Sequence, residues 1–145
     1  RAMDADKLQL PITELNVRQP LVVGPNAPAR EAIDRLKEKG AGCVLVLDDD
    51  GYLLGIFTER DVLQKLAPLG SAAADRPVSD FMTSRPTVLH QDDSIVFALH
   101  QMHLGGYRHI PLMDDDEKPR HIVSVRTVVD YLAARLTESD LRHEA

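Results

Sequence analysis

Two apolar rhythms alternate along the chain. Ala29, Ala32, Ile33 and Leu36 recur at i, i+3, i+4 and i+7, the stripe of an amphipathic helix. Pro28 stands just ahead at a place suited to the first helical turn, and Gly40 follows as a stop, since glycine takes the left-handed conformation without penalty. The unbroken apolar run Cys43–Leu47 predicts a buried strand. Asp49, Asp50 and Gly51 predict a turn and residues 53–57 a second strand, so the pair reads as a β-hairpin. Thr58 then opens a helix that carries Val62, Leu63 and Leu66, while Leu21, Val22 and Val23 form a short extended piece ahead of the whole set. In the second half Ser94 caps a helix with the stripe Ile95, Ala98, Leu99 and Met102. Gly105 and Gly106 end it, and a strand at His109–Met113, a turn, a strand at residues 122–124 and a final helix complete the order.

The two halves are one ungapped repeat, residue n matching residue n + 66. Pro20 falls on Pro86, Ala32 on Ala98, Gly40 on Gly106, Asp48 on Asp114, Ile56 on Ile122, Arg60 on Arg126 and Leu66 on Leu132. Units are expected at 12–67 and 78–136, joined by a linker of small residues at 68–77. A unit of that size buries only about 60% of its chain surface and is marginal alone, so the two are expected to share a core.

Composition narrows the function. With 43% hydrophobic and 28% charged residues the chain reads as a soluble globular protein, and no apolar run approaches a membrane span. Residues 1–7 lack the apolar stretch of a secretory signal, which makes the cytoplasm the expected location. A formal charge of −6 argues against a nucleic-acid partner, because such affinity rests on neutralising phosphates. The single cysteine, Cys43, lies inside an apolar strand and reads as a small buried hydrophobe.

The order strand-helix-strand-strand-helix, the segment Gly55-Ile56-Phe57-Thr58-Glu59-Arg60-Asp61 and the opening Asp80-Phe81-Met82-Thr83 of the second unit resemble a CBS domain pair, or Bateman module. The resemblance covers all but about ten residues at each end. It implies an α/β fold of two β-α-β-β-α repeats packed with pseudo-twofold symmetry around two clefts. It also implies a regulatory adenosyl ligand of the AMP, ATP, NAD or S-adenosylmethionine class, no catalytic cofactor, no enzymatic activity, a homodimer, and a regulated protein that the sequence does not name. Residues open to the dimer role include Val62, Leu63 and Leu66 against Val128, Val129 and Leu132.

Carried onto this chain, the family's motif gives Thr58 and Asp61, three apart at a helix start. A carboxylate there can accept paired hydrogen bonds from the vicinal hydroxyls of a ribose, and the Thr hydroxyl can meet phosphate or sugar. The same spacing is a capping box, and the two roles are compatible. Arg60 is either a ligand contact or a solvated helix position. The opposite wall is implied to come from Thr83, Pro86, Thr87 and Val88 and from Tyr107, Arg108, His109 and Ile110, with Val88 and Ile110 equally readable as core. Tyr107 and Arg108 replace Ala41 and Gly42 of the first unit. The second cleft departs from the motif: Ser124 stands for Thr58, but Thr127 replaces Asp61 and His121 replaces Gly55. With Leu21, Ala41 and Gly42 on its other wall, it is expected to be weak or altered in ligand choice.

His90, His100, His103 and His109 lack the spacing and companions of a zinc site, and the acidic triplets at 48–50 and 114–116 read as turns, so no metal site is expected. Neither a nucleophile elbow nor a phosphate-binding glycine loop is present. The alternative function is a dimerisation or interaction module whose nucleotide clefts are vestigial.

Overall fold

The computed structural model describes residues 9–39 and 41–144. Gly40, the expected helix stop, lies outside the described residues. The elements in chain order are β1 (Val22–Val23), α1 (Ala29–Lys39), β2 (Cys43–Leu47), β3 (Leu53–Thr58) and α2, which starts as Glu59–Asp61 and widens to π geometry over Val62–Leu66. They continue with β4 (Thr83–Ser84), β5 (Leu89–His90), α3 (Ile95–Gly105), β6 (His109–Met113), β7 (Pro119–Ser124) and α4 (Val125–Glu144). The architecture is mixed α/β with a four-stranded sheet, β1-β2-β3-β4, and a three-stranded sheet, β5-β6-β7.

Local chemistry explains the element ends. Asp48 Oδ1 accepts hydrogen bonds from the amides of Asp50 and Tyr52, both at 2.9 Å, and Gly51 takes the positive φ (89°) that closes the hairpin. Ser94 Oγ accepts from the Phe97 amide at 3.1 Å and starts α3, which Gly106 ends in the left-handed conformation. Pro28 is not the first helical residue: it is extended, bridged to Pro77, and α1 begins one residue later. Pro68 lacks an amide hydrogen and follows the last turn of α2, where the chain tightens into 3-10 turns at Ala67–Leu69 and Ser71–Asp75. The small residues of this stretch are packed, with Ala73 and Ala74 buried. Also unanticipated were β4 and the early start of β7 at Pro119.

Two compact units emerge. One comprises residues 20–87 with 115–119, the other the described residues up to 19 with 88–114 and 120 onwards. The first is built on Val44, Val46, Phe57, Ala29, Ala32, Val78 and Phe81, the second on Ile12, Ile95, Ala98, Ile110, Leu112, Val123 and Val128. Ile12 and Leu15 open the first repeat yet are buried in the second unit, and Val78 and Phe81 open the second repeat yet are buried in the first. Hydrogen bonds repeat this exchange at the 66-residue offset. The Val78 amide donates to Ala27 O at 2.7 Å and the Ile12 amide to Asp93 O at 2.8 Å, while the Ala29 amide donates to Arg76 O and the Ile95 amide to Leu10 O, both at 2.9 Å.

If docking of the opening segment is an integral part of the second core, Ile12→Ala should cost about 2–5 kcal/mol, the range for truncating a fully buried aliphatic side chain. Chemical denaturation checks this against Leu112→Ala, which lies in the same core. A loss below about 0.5 kcal/mol for Ile12→Ala would show that the segment contributes little.

Candidate functional site

β3 pairs with β2 on one side and with the short β4 on the other, in the registers Gly55 to Ser84 and Ile56 to Thr83. Gly55 is what lets β4 approach: a Cβ there would stand 2.8 Å from Thr83 O and 2.6 Å from Met82 Sδ, closer than atoms pack. The exchanged segment thereby brings Thr83 to the end of β3, where the chain turns into α2.

At that turn Thr58 is extended and caps α2. Its Oγ accepts from the Asp61 amide at 3.4 Å, and Asp61 Oδ2 accepts from the Thr58 amide at 2.9 Å and from the Thr58 hydroxyl at 3.2 Å. This is a capping box with aspartate in place of the usual glutamate. Asp61 Oδ1 accepts from the Thr83 hydroxyl at 3.1 Å and pairs with Lys65 Nζ at 2.9 Å. The aspartate side chain is only 5% exposed, the lysine side chain 40%. Lys65 Nζ also donates to the carbonyls of Phe81 (3.1 Å) and Met82 (3.3 Å) and lies 3.4 Å from Thr83 Oγ1. A buried carboxylate is thus surrounded by two hydroxyls, an amide and an ammonium, all within one unit. Such a set offers hydrogen-bond partners to hydroxyl groups and to charge.

Of the residues anticipated from the sequence, the structure joins Thr58, Asp61 and Thr83 by direct hydrogen bonds. Arg60 is exposed on α2, and Pro86 and Thr87 are half-buried after β4. Val88, Tyr107 and Arg108 are exposed, His109 is half-buried and Ile110 is fully buried among the core residues of the other unit. Lys65 was missed, although its i,i+4 spacing from Asp61 is a visible helical ion-pair signal.

In the other unit the motif is neutral. Ser124 Oγ lies 3.0 Å from Thr127 Oγ1 and accepts from the Thr127 amide at 3.1 Å, so the helix cap survives without the carboxylate. At the 66-residue offset Thr83 corresponds to Val17 and Lys65 to Tyr131, and both of these pack against the apolar core. Where Gly55 allows close approach in the first unit, His121 stands, and there the bridge pairs Arg18 with Ile122 rather than with residue 121. Leu21, Ala41 and Gly42, assigned to this second cleft from the sequence, are half-buried in the first unit. Burial pushes the Cys43 thiol up to about 12, so no thiolate forms near neutral pH and the residue serves packing.

A family model for the CBS domain matches residues 12–68 and again residues 78–134. The chain belongs to the CBS domain family, as a tandem pair. A CBS-domain containing protein of Agrobacterium tumefaciens, known from its crystal structure, is 33% identical and superposes with a TM-score of 0.71 over 78% of this chain and 84% of that one. CBSX2 in complex with AMP is 25% identical, with a TM-score of 0.66 over 92% and 98% of the two chains. A CBS domain pair in complex with 5′-methylthioadenosine and S-adenosyl-L-methionine shares the fold, with a TM-score of 0.74 over 85% and 98% of the two chains at 21% identity. An uncharacterised 17.7 kDa protein of Acidianus ambivalens is 30% identical over 115 residues, 79% of this chain and 68% of that protein. Other relatives are longer: the chain spans 31% of an uncharacterised Chlamydia muridarum protein and 19% of an Arabidopsis thaliana CBS domain-containing protein.

The close approach at Gly55 gives a direct check. Gly55→Ala should cost about 1–3 kcal/mol, because Met82 can yield but the Thr83 backbone cannot do so without breaking β4. Gly24→Ala, which meets nothing within 4 Å, is the control, and its unfolding midpoint should move far less.

Proposed function

We propose that this CBS pair is a regulatory module that binds an adenosyl ligand through Asp61 and transmits its occupancy to a partner by a ligand-dependent rearrangement, without catalysing a reaction. The observation that carries this reading is the buried Asp61 carboxylate at the end of β3, held by Thr58 and flanked by the exposed residues Thr83 and Lys65. A carboxylate is costly to bury, and a helix cap alone does not require it: Thr127 occupies the equivalent place with the cap intact. A carboxylate accepts hydrogen bonds from the hydroxyls of a ribose. CBSX2 was solved with AMP, which supports the same ligand class here. A ligand can shift the protein between arrangements only through a difference in affinity for them, so its contacts must change with the arrangement. The lone cysteine, with no second cysteine to pair with in this sequence, fits work in the reducing cytoplasm.

A homodimer belongs to the same proposal. Of the residues singled out for it, Leu66 and Val128 are buried within their units, whereas Leu63 is 70% exposed and Val129 52% exposed. Those two favour association, and light scattering that gives a monomer mass across a broad concentration range would remove it. No helix among the described residues is long and apolar enough to cross a membrane.

Asp61→Ala should weaken binding of AMP or S-adenosylmethionine roughly ten- to a hundredfold, the loss of hydrogen bonds to a charged group. Calorimetry on the folded variant checks it, and an unchanged affinity takes Asp61 out of the site.

Because Thr127 offers no charge, the native chain should bind about one adenosyl ligand with appreciable affinity. Two equivalent, independent sites in calorimetry would show that Thr127 is an adequate ribose partner.

A further inference from the structure

Each carboxylate oxygen of Asp61 already accepts two hydrogen bonds from this chain, the number its lone pairs offer. The two partners of Oδ2 both belong to Thr58, three residues away on the same turn. The two partners of Oδ1, the Lys65 ammonium and the Thr83 hydroxyl, sit on exposed residues. A diol seeking Asp61 therefore meets it at Oδ1, in competition with Lys65 and Thr83.

Lys65 does more than neutralise Asp61. Through Phe81 O and Met82 O its ammonium ties α2 to the segment leading into β4, its three donors shared among these carbonyls, Asp61 and Thr83 Oγ1. The fold does not require a charged tie at this place. In the other unit the set Thr58, Asp61, Lys65 and Thr83 is replaced as a whole by Ser124, Thr127, Tyr131 and Val17, and Tyr131 and Val17 pack against an apolar core instead. An apolar contact holds regardless of solutes, whereas an ion pair whose ammonium is 40% exposed can be exchanged where incoming hydroxyls replace it on the buried carboxylate.

We propose that Lys65 is a ligand-displaced latch. Resting on the nucleoside reading of the Asp61 site, the step is an exchange: a ribose hydroxyl takes the place of the ammonium on Oδ1, the ammonium leaves both the carboxylate and the carbonyls of Phe81 and Met82, and on its flexible stem it turns to the ligand's anionic group. Lysine suits this role as a mobile point charge. Occupancy is thereby converted into release of α2 from the β4 segment, and the latch lowers affinity for ligands that bring hydroxyls but no phosphate.

The test is calorimetry of adenosine and of AMP with the native chain, Lys65→Met and Thr83→Val. Lys65→Met should bind adenosine about threefold tighter or more, since the competitor is gone and the stem remains. Its preference for AMP over adenosine should shrink, because the cation that meets the phosphate is also gone. Thr83→Val, which removes the other competing donor, should tighten adenosine binding in the same direction. Independently of any variant, saturating adenosine should speed acetylation of Lys65 in the native chain by about threefold or more relative to Lys37, read by peptide mass spectrometry, because the ammonium is released from its ties. Adenosine binding that Lys65→Met leaves unchanged or weakens, or a Lys65 acetylation rate that adenosine does not raise, overturns the latch while leaving the nucleoside site standing. Absence of adenosine and AMP binding by both the native chain and Lys65→Met overturns the nucleoside reading, and the latch falls with it.

Discussion

The structure depends on a reciprocal exchange of opening segments between the two repeats. A hairpin and one helix leave an apolar sheet face incompletely covered, and in each unit the missing cover is the segment that opens the other repeat: Val78 and Phe81 in one, Ile12 and Leu15 in the other. Backbone hydrogen bonds anchor each segment at the start of the helix it covers, Val78 to Ala27 and Ile12 to Asp93. A repeat of this length exposes a large fraction of its surface and is marginal by itself, and the exchange meets that shortfall.

The candidate site follows from the same constraint. Thr83 reaches Asp61 only because its segment lies along β3, and it lies there because Gly55 presents no Cβ to the approaching backbone. A residue of the second repeat is thus carried into the carboxylate cluster of the first unit. Lys65 closes the cluster by binding the carbonyls of that segment and the carboxylate together. The same few atoms therefore hold the segment in place and form the polar cluster.

The repeats share the exchange of segments and the helix caps but differ in the chemistry gathered beside those caps. Both helices after the hairpins keep a hydroxyl cap, Thr58 and Ser124, and both exchanged segments keep their backbone anchors. Charge survives in one unit only: Asp61, Lys65 and Thr83 give way to Thr127, Tyr131 and Val17, and the polar cluster becomes apolar packing. A buried carboxylate without partners is costly, which accounts for the joint absence of the carboxylate and its charged partner from the other unit.

Apolar periodicity and capping chemistry are local and act within a few residues, so the repeat, most of the order of elements and the capping spacing of Thr58 and Asp61 were legible in the sequence. It also placed the turn at Asp48 and the cap at Ser94 for the same reason. Long-range packing set which core each opening segment enters, that Ala73 and Ala74 are packed, that Thr83 belongs to a strand, and that Lys65 completes the cluster. Those outcomes turn on groups far apart in the chain: a two-residue strand has no period to detect, and small residues read as a linker until a core is built against them. The pairing of Asp61 with Lys65 was visible as a spacing, but its meaning was not, since a helical ion pair in solvent and a charged tie beside a buried carboxylate differ only in what the rest of the fold places around them.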